Sequence, residues 1–334
     1  MHQFVDGEWV PGYEATNENG EFDRQVTTFR DRIGDEGTDA EAGRYHLYVS
    51  FACPWAHRTL ITRALKGLEE AISVDVVDPY RDENGWQFTP EKAGCTPDTI
   101  NGFDYLREAY TEADPNYTGR VTVPVLWDKE QETIVNNESA EIMRMLDTAF
   151  DEFSTQDVDL YPAGYREEVD RIIDSIYEPI NNGVYRAGFA ETQDAYEQAV
   201  NELFDALDHW NEVLSEQRFL AGDRLTEADI AMFTTLIRFD DVYHTHFKCN
   251  RRKVSEYPAL WNYLKELYQL SGVAETVNFA HIREHYYTTH TDVNPKQIVA
   301  VGPNHAFDAR HDRDRLSGNL PEGLIGSSDG YEDE

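Results

Sequence analysis

Phe51-Ala52-Cys53-Pro54-Trp55-Ala56-His57-Arg58 follows an apolar run, Tyr45-His46-Leu47-Tyr48-Val49, and puts a lone cysteine where a strand ends and a helix begins. The first backbone N–H groups of a helix have no partners within it, and the helix dipole is positive there. Both features favour a thiolate. Pro54 suits the first helical position because its missing N–H costs nothing there. Beyond it Leu60, Ile61, Ala64, Leu65 and Leu68 share one face of a helix over 53–68. A thiol of pKa about 8.5 is about 3% ionised at pH 7, whereas one near 6 is about 90% ionised. The position therefore predicts thiolate chemistry. The competing reading of Cys53 is a buried structural thiol, but C-P-W at a strand-to-helix junction is hard to explain by packing. Ala56 stands where a C-x-x-C motif would place its second sulfur. Such a site cannot close an internal disulfide, and its oxidised form needs an external small thiol.

Around this point, residues 45–150 read as a strand, the helix, a strand at 72–77, a long connection, short strands at 121–127 and 133–135, and a helix from Ser139. That is the thioredoxin-like order. Pro124 lacks a ladder donor and marks an edge or a special turn; its isomer is open. The second half is helical. Val169, Ile172, Ile173, Ile176, Tyr177 and Ile180 keep a 3.6-residue period, as do Leu203, Phe204, Leu207, Trp210 and Leu214. Thr226 is a good N-cap, with Asp229 placed to reach back as in a capping box. The helix they open is nearly apolar, hence buried, and another helix covers 256–270. The expected layout is an N-terminal extension over 1–44, a thioredoxin-like thiol-binding domain over 45–150 and an all-α domain over 160–285. A C-terminal extension follows over 286–334, loose and acidic from residue 317 onward.

Of 334 residues, 64 are acidic and 29 basic, only seven of the latter lysine, for a net charge of −35. Such a surface repels nucleic acid and anionic membranes, so neither partner is expected. The charge is spread over every helix rather than gathered in a tail. At about 1 M salt the Debye length is about 3 Å and the self-repulsion is largely screened, which points to a salt-accumulating halophile. No stretch approaches the roughly 18 apolar residues of a membrane span, and residues 1–6 lack signal-peptide character. Three cysteines (Cys53, Cys95, Cys249) make no disulfide framework. A reducing cytoplasm fits best.

The segment Cys53-Pro54-Trp55-Ala56-His57-Arg58 together with Ala221-Gly222-Asp223-Arg224-Leu225-Thr226-Glu227-Ala228-Asp229-Ile230 resembles the glutathione transferase superfamily. Three more segments resemble its Xi class, the glutathionyl-hydroquinone reductases. They are Asn181-Asn182-Gly183-Val184-Tyr185-Arg186-Ala187-Gly188-Phe189, then 241–250, and His285-Tyr286-Tyr287 followed by Asn294-Pro295. The resemblance spans about 40–300 and implies an α/β thioredoxin-like domain joined to an all-α domain. It implies a reductase that removes a thiol from a hydroquinone thioether, with Cys53 as nucleophile and Tyr185 as proton donor. Tyr243 and Tyr286 would lie near the sulfur, lowering its pKa and binding the aromatic ring; Tyr287 is the alternative to Tyr286. Trp86, backbone groups of Arg120, Thr122 and Val123, and the pair Glu138-Ser139 would hold the thiol peptide. Ser139 opens a helix, whose N-terminal N–H groups suit a carboxylate. The co-substrate would be glutathione or gamma-glutamylcysteine, with no bound cofactor, and the enzyme a homodimer.

Two other readings compete: a general transferase or thiol–disulfide oxidoreductase, and a binding protein on the same scaffold. A binder has no need of an activated Cys53. His281-Ile282-Arg283-Glu284-His285 matches an H-x-x-E-H zinc pattern, but five residues in a chain with 11 histidines is a weak match, and no metal is expected. His57 and Arg58 are read as shaping the helix start, Cys249 as a buried thiol, and His244 and His246 as polar rim residues.

Overall fold

The computed structural model describes residues 2–12, 15–34, 38–321, 323 and 324. A hairpin of β1 (His2–Val5) and β2 (Glu8–Pro11) comes first. The thioredoxin-like unit follows as β3 (Tyr45–Val49), α1 (Pro54–Lys66), β4 (Ser73–Val76), α2 (Leu106–Ala113), β5 (Val125–Asp128), β6 (Thr133–Asn136) and α3 (Ser139–Thr148). The sheet order is β4-β3-β5-β6, with β3 and β4 parallel and the other pairs antiparallel. Every residue of β3 is buried, as a central strand covered on both faces requires. The strand expected from residue 121 starts only at Val125, just after the cis Val123–Pro124 peptide bond. The connection read as featureless contains α2, whose capping residue Tyr105 sits across from Gln87.

The helical half runs α4 (Arg166–Ile176), a π-helical stretch Tyr177–Asn181, α5 (Gly183–Gly188), α6 (Gln193–Glu216), α7 (Glu227–Arg238), a second π-helical stretch Phe239–Tyr243, α8 (Pro258–Tyr268) and α9 (Phe279–Thr289). All twelve residues of α7 are buried, so it is the axis of this core. Its capping box forms as expected: the Asp229 carboxylate accepts from the Thr226 N–H at 2.8 Å. That carboxylate also accepts from the Leu220 N–H and the Tyr263 hydroxyl.

The two halves meet across α1. His57 Nε2 contacts Thr276 Oγ1 at 2.7 Å, and Arg58 donates to Asn181 Oδ1 at 2.9 Å. Arg238 at the end of α7 donates to the carbonyls of Phe51 and Ala52, at 2.9 and 3.0 Å. His57 and Arg58 thus join the halves at the helix start.

Residues 15–33 are no detached arm. Asp31 N–H donates to the Val135 carbonyl and Asn137 N–H to the Phe29 carbonyl, covering the open edge of β6. Arg30 and Arg32 both reach Glu141 on α3, each at 2.7 Å. At the other end, Phe307 and Arg313 are buried against the helical half. Of the tail expected to be loose, residues 322 and 325–334 lie outside the described residues.

Candidate active site

Cys53 is the N-cap of α1, in extended backbone (φ −79°, ψ 122°). It opens onto a cavity of about 310 Å³ between the two halves. One wall is the segment 122–124 and the start of α3. The opposite wall is the π-helical stretch, α5 and the end of α9, and residues 22–27 close the side. Such a crevice between domains is where small-molecule sites form most readily.

The Cys53 Sγ donates to the Val123 carbonyl at 3.5 Å. Burial pushes this thiol up from its ordinary value. The Ala56 and Trp55 N–H groups and the charges of Arg238 and Arg24 pull it down, without overcoming burial. The direction is therefore opposite to the lowered pKa expected from the sequence. The helix terminus does aim N–H groups at it, but desolvation is the larger effect.

The peptide-binding positions divide in two. Arg120 already directs its N–H to Gln25 Oε1 (3.1 Å) and its carbonyl accepts from Tyr117 (2.8 Å). Thr122 uses both backbone groups on the Tyr110 hydroxyl. The Val123 N–H has no partner among the described residues. The Arg120 and Thr122 backbone groups thus have partners inside the protein, while Val123 keeps a donor available. Glu138, not Ser139, caps α3; its carboxylate accepts from the Ala140 N–H at 3.4 Å and from Thr27 Oγ1 at 3.2 Å. Ser139 is the first helical residue and lines the cavity with Glu138 and Asn137. Trp86 lines it too, stacked on His285 at 5.1 Å, and its buried Nε1 lacks a partner among the described residues.

Three phenols form a chain. The Tyr185 and Tyr286 hydroxyls are 2.5 Å apart, and Tyr286 and Tyr243 are 2.9 Å apart. Tyr185 and Tyr286 line the cavity, whereas Tyr243 is fully buried and reaches the site through Tyr286. Tyr287 donates to the Asp241 carbonyl at 3.2 Å instead, which decides between the neighbours in favour of Tyr286. Burial pushes all three phenols up, with Cys53 adding to the effect at Tyr185. They are neutral donors at pH 7.

Sequence reasoning missed Phe22, Arg24, Arg81, Arg238 and His290. Four come from segments without motif character, and Arg238 closes the nearly apolar helix that Thr226 opens. Burial holds Arg81 down to about 10 and His285 to about 3. At pH 7 the cavity's positive charge is therefore arginine, in a chain of net charge −35. His281 and His285, the histidines of H-x-x-E-H, each turn a ring nitrogen to a carbonyl, of Ala93 and Pro79. His246 is buried against His290 rather than on the rim, and Cys249 is fully buried.

Residues 52–149 match the family model "Glutathione S-transferase, N-terminal domain", and residues 193–266 match "Glutathione S-transferase, C-terminal domain". The chain is 49% identical over 324 residues to the glutathionyl-hydroquinone reductase YqjG of Escherichia coli, covering 94% of this chain and 99% of that protein. It is 53% identical over 304 residues to the glutathionyl-hydroquinone reductase PcpF of Sphingobium chlorophenolicum, covering 91% and 96%. Among solved structures, an Xi class glutathione transferase from Natrialba magadii superimposes with a TM-score of 0.91 at 65% identity, over 96% of this chain and 98% of that one. The glutathione-bound structure of YqjG gives 0.84 at 49% identity, over 93% and 99%. This chain belongs to the glutathione transferase superfamily, in the Xi class of glutathionyl-hydroquinone reductases.

Proposed function

We propose that this protein cleaves glutathionyl-hydroquinone thioethers through a mixed disulfide on Cys53. The observation that carries the reading is that Cys53 and the neutral Tyr185 hydroxyl line the same cavity, beside an available Val123 N–H and the start of α3. Cys53 reacts as the thiolate, its proton passing to solvent, and the Trp55 and Ala56 N–H groups favour the charged form. The thiolate attacks the thioether sulfur, the carbon–sulfur bond breaks, and Tyr185 supplies the proton the ring carbon needs. A second thiol then attacks the mixed disulfide, releasing Cys53 and a soluble disulfide; its own proton replaces the one given to the ring carbon. Tyr286 hydrogen-bonds Tyr185, and Tyr243 holds Tyr286.

The thiol is glutathione or gamma-glutamylcysteine, held by Trp86, by backbone groups of Arg120, Thr122 and Val123, and by the Glu138-Ser139 corner, all of which line the cavity. No bound cofactor is needed, since both electrons come from the thiols. The working form is a cytoplasmic homodimer. The test is turnover of a glutathionyl-hydroquinone in high salt. Cys53→Ala should abolish it, and Tyr185→Phe should lower kcat by about 10²-fold with little change in KM. Wild-type protein inactive with both thiols would overturn the assignment. A general thiol–disulfide oxidoreductase shares Cys53 but gives Tyr185 nothing to do, so an unaffected Tyr185→Phe would favour that reading.

A further inference from the structure

Breaking an aryl carbon–sulfur bond leaves an electron pair on the ring, and a bare aryl carbanion is a poor leaving group. A hydroquinone offers a better place for the charge. When Tyr185 protonates the sulfur-bearing carbon, the neighbouring ring hydroxyl gives its proton back to the tyrosine, and the ring becomes its keto tautomer. Attack of the Cys53 thiolate on sulfur then breaks the carbon–sulfur bond. That pair restores the aromatic ring and the carbonyl becomes a phenolate. The negative charge has moved from Cys53 to a ring oxygen, which takes the proton shed by the incoming second thiol. A site for this reaction needs a cation at its aromatic end.

Arg24 has that position. Its guanidinium carbon lies over the rings of Trp55, Tyr185 and Phe22, at 4.8, 5.0 and 5.2 Å, and the residue lines the cavity with Cys53. Its Nε donates to Asn182 Oδ1 at 3.0 Å. Its Nη2 is stripped of solvent and has no hydrogen-bond partner among the described residues. No carboxylate lies within ion-pair distance of it among those residues, although acidic groups outnumber basic ones by 64 to 29. A buried donor left unpaired is costly, and a cation without a counter-ion at a cavity wall marks a place for an anion. The strand of chain carrying it is fixed: Asp23 N–H donates to the Ala15 carbonyl, and Glu191 N–H, just before α6, to the Gly20 carbonyl.

We propose that Arg24, delivered by the N-terminal segment, is a substrate-contacting residue that binds the hydroquinone ring oxygen and stabilises it as a phenolate. The proposal rests on the reductase reading above, and two substrates separate them. Reduction of a glutathione mixed disulfide uses Cys53 but forms no phenolate. Arg24→Met should lower kcat on a glutathionyl-hydroquinone by about 10²-fold and mixed-disulfide reduction by less than about threefold. Equal losses on both substrates, or no loss on either, would overturn it. An independent arm uses 4-nitrophenol, whose phenolate is coloured. Bound to wild-type protein its apparent pKa should fall by about one unit, and Arg24→Met should abolish that fall. Identical titrations in the two proteins would sink the proposal even if turnover changed. Wild-type inactivity on the thioether would remove the reductase reading, and the nitrophenol titration would still decide whether Arg24 binds a phenolate.

Discussion

The two ends of this chain look alike as sequence and do opposite work. Residues 15–33 and 290–321 are both polar, broken by glycine and nearly free of regular structure, and each sends an arginine into the protein. At the C-terminal end, fully buried Arg313 donates to the carbonyls of Leu214, Gln217 and Arg218, at 2.6, 2.7 and 2.6 Å. Those carbonyls belong to the last turn of α6 and the residues after it, where no intrahelical donor exists. Arg313 caps a helix, with both of its Nη atoms engaged. At the N-terminal end, among the described residues, Arg24 makes one hydrogen bond, stacks on three rings and keeps a terminal nitrogen unpaired. An arginine spent on orphan carbonyls holds a fold together. One left short of partners at a cavity wall is held in reserve for a ligand.

The largest effect should come from salt, which acts on both ends at once. Moving from about 1 M salt to dilute buffer lengthens the screening distance from about 3 Å to 10 Å or more. With a net charge of −35, we expect a stability loss of about 5 kcal/mol or more, comparable with the whole stability of a domain. Denaturant unfolding at the two salt concentrations measures it, and equal midpoints would remove the salt-adapted reading. Next, Arg313→Ala should cost about 3 kcal/mol, because it strands three carbonyls and removes one of the two arginines, Arg218 and Arg313, that face the buried Glu266 carboxylate. Activity per folded molecule should stay within about twofold. A large loss of kcat in folded Arg313→Ala would erase the contrast between the ends.

Gly20→Ala sharpens the other side. Gly20 has φ +74°, and a Cβ there would meet Thr192 Cγ2 at 2.8 Å. Both the left-handed backbone and the close approach call for glycine. We expect a loss of about 1–2 kcal/mol and roughly tenfold in kcat/KM for the thioether, since the loop carrying Phe22 and Arg24 shifts. Unchanged kinetics would mean that docking this loop is irrelevant to the cavity. The smallest expected effect is a displaced pH profile. Cys53 reacts only as thiolate, and burial raises its pKa. Its alkylation in the free protein should be slower at pH 7 than that of a peptide thiol. It should still be rising where an ordinary thiol of pKa about 8.5 levels off. A plateau near pH 6 would mean that the helix terminus outweighs desolvation after all.

Signals carried by near neighbours in the chain could be read directly. The strand–Cys53-Pro54–helix junction, the Thr226–Asp229 box and the helical start at Ser139 rest on spacings of a few residues, and each appears in the structure. The motif around Asn181–Phe189 pointed to Tyr185, which lines the cavity. Helix α2 escaped because its eight residues are too few for a clear period. Arg24 escaped because its meaning lies in Asn182, 158 residues away.

Charge balance, helix periodicity and the cysteine at a helix start are properties of composition and local spacing, so the chain written out as letters already settles the architecture, the acidic surface and the place of Cys53 at the start of α1. Whether that sulfur is thiol or thiolate, which tyrosine faces it, and which arginines lack a counter-ion depend on desolvation and on contacts between residues far apart in the chain. Those quantities exist only once the halves have closed on each other, because burial and pairing are properties of the packed molecule rather than of any stretch within it.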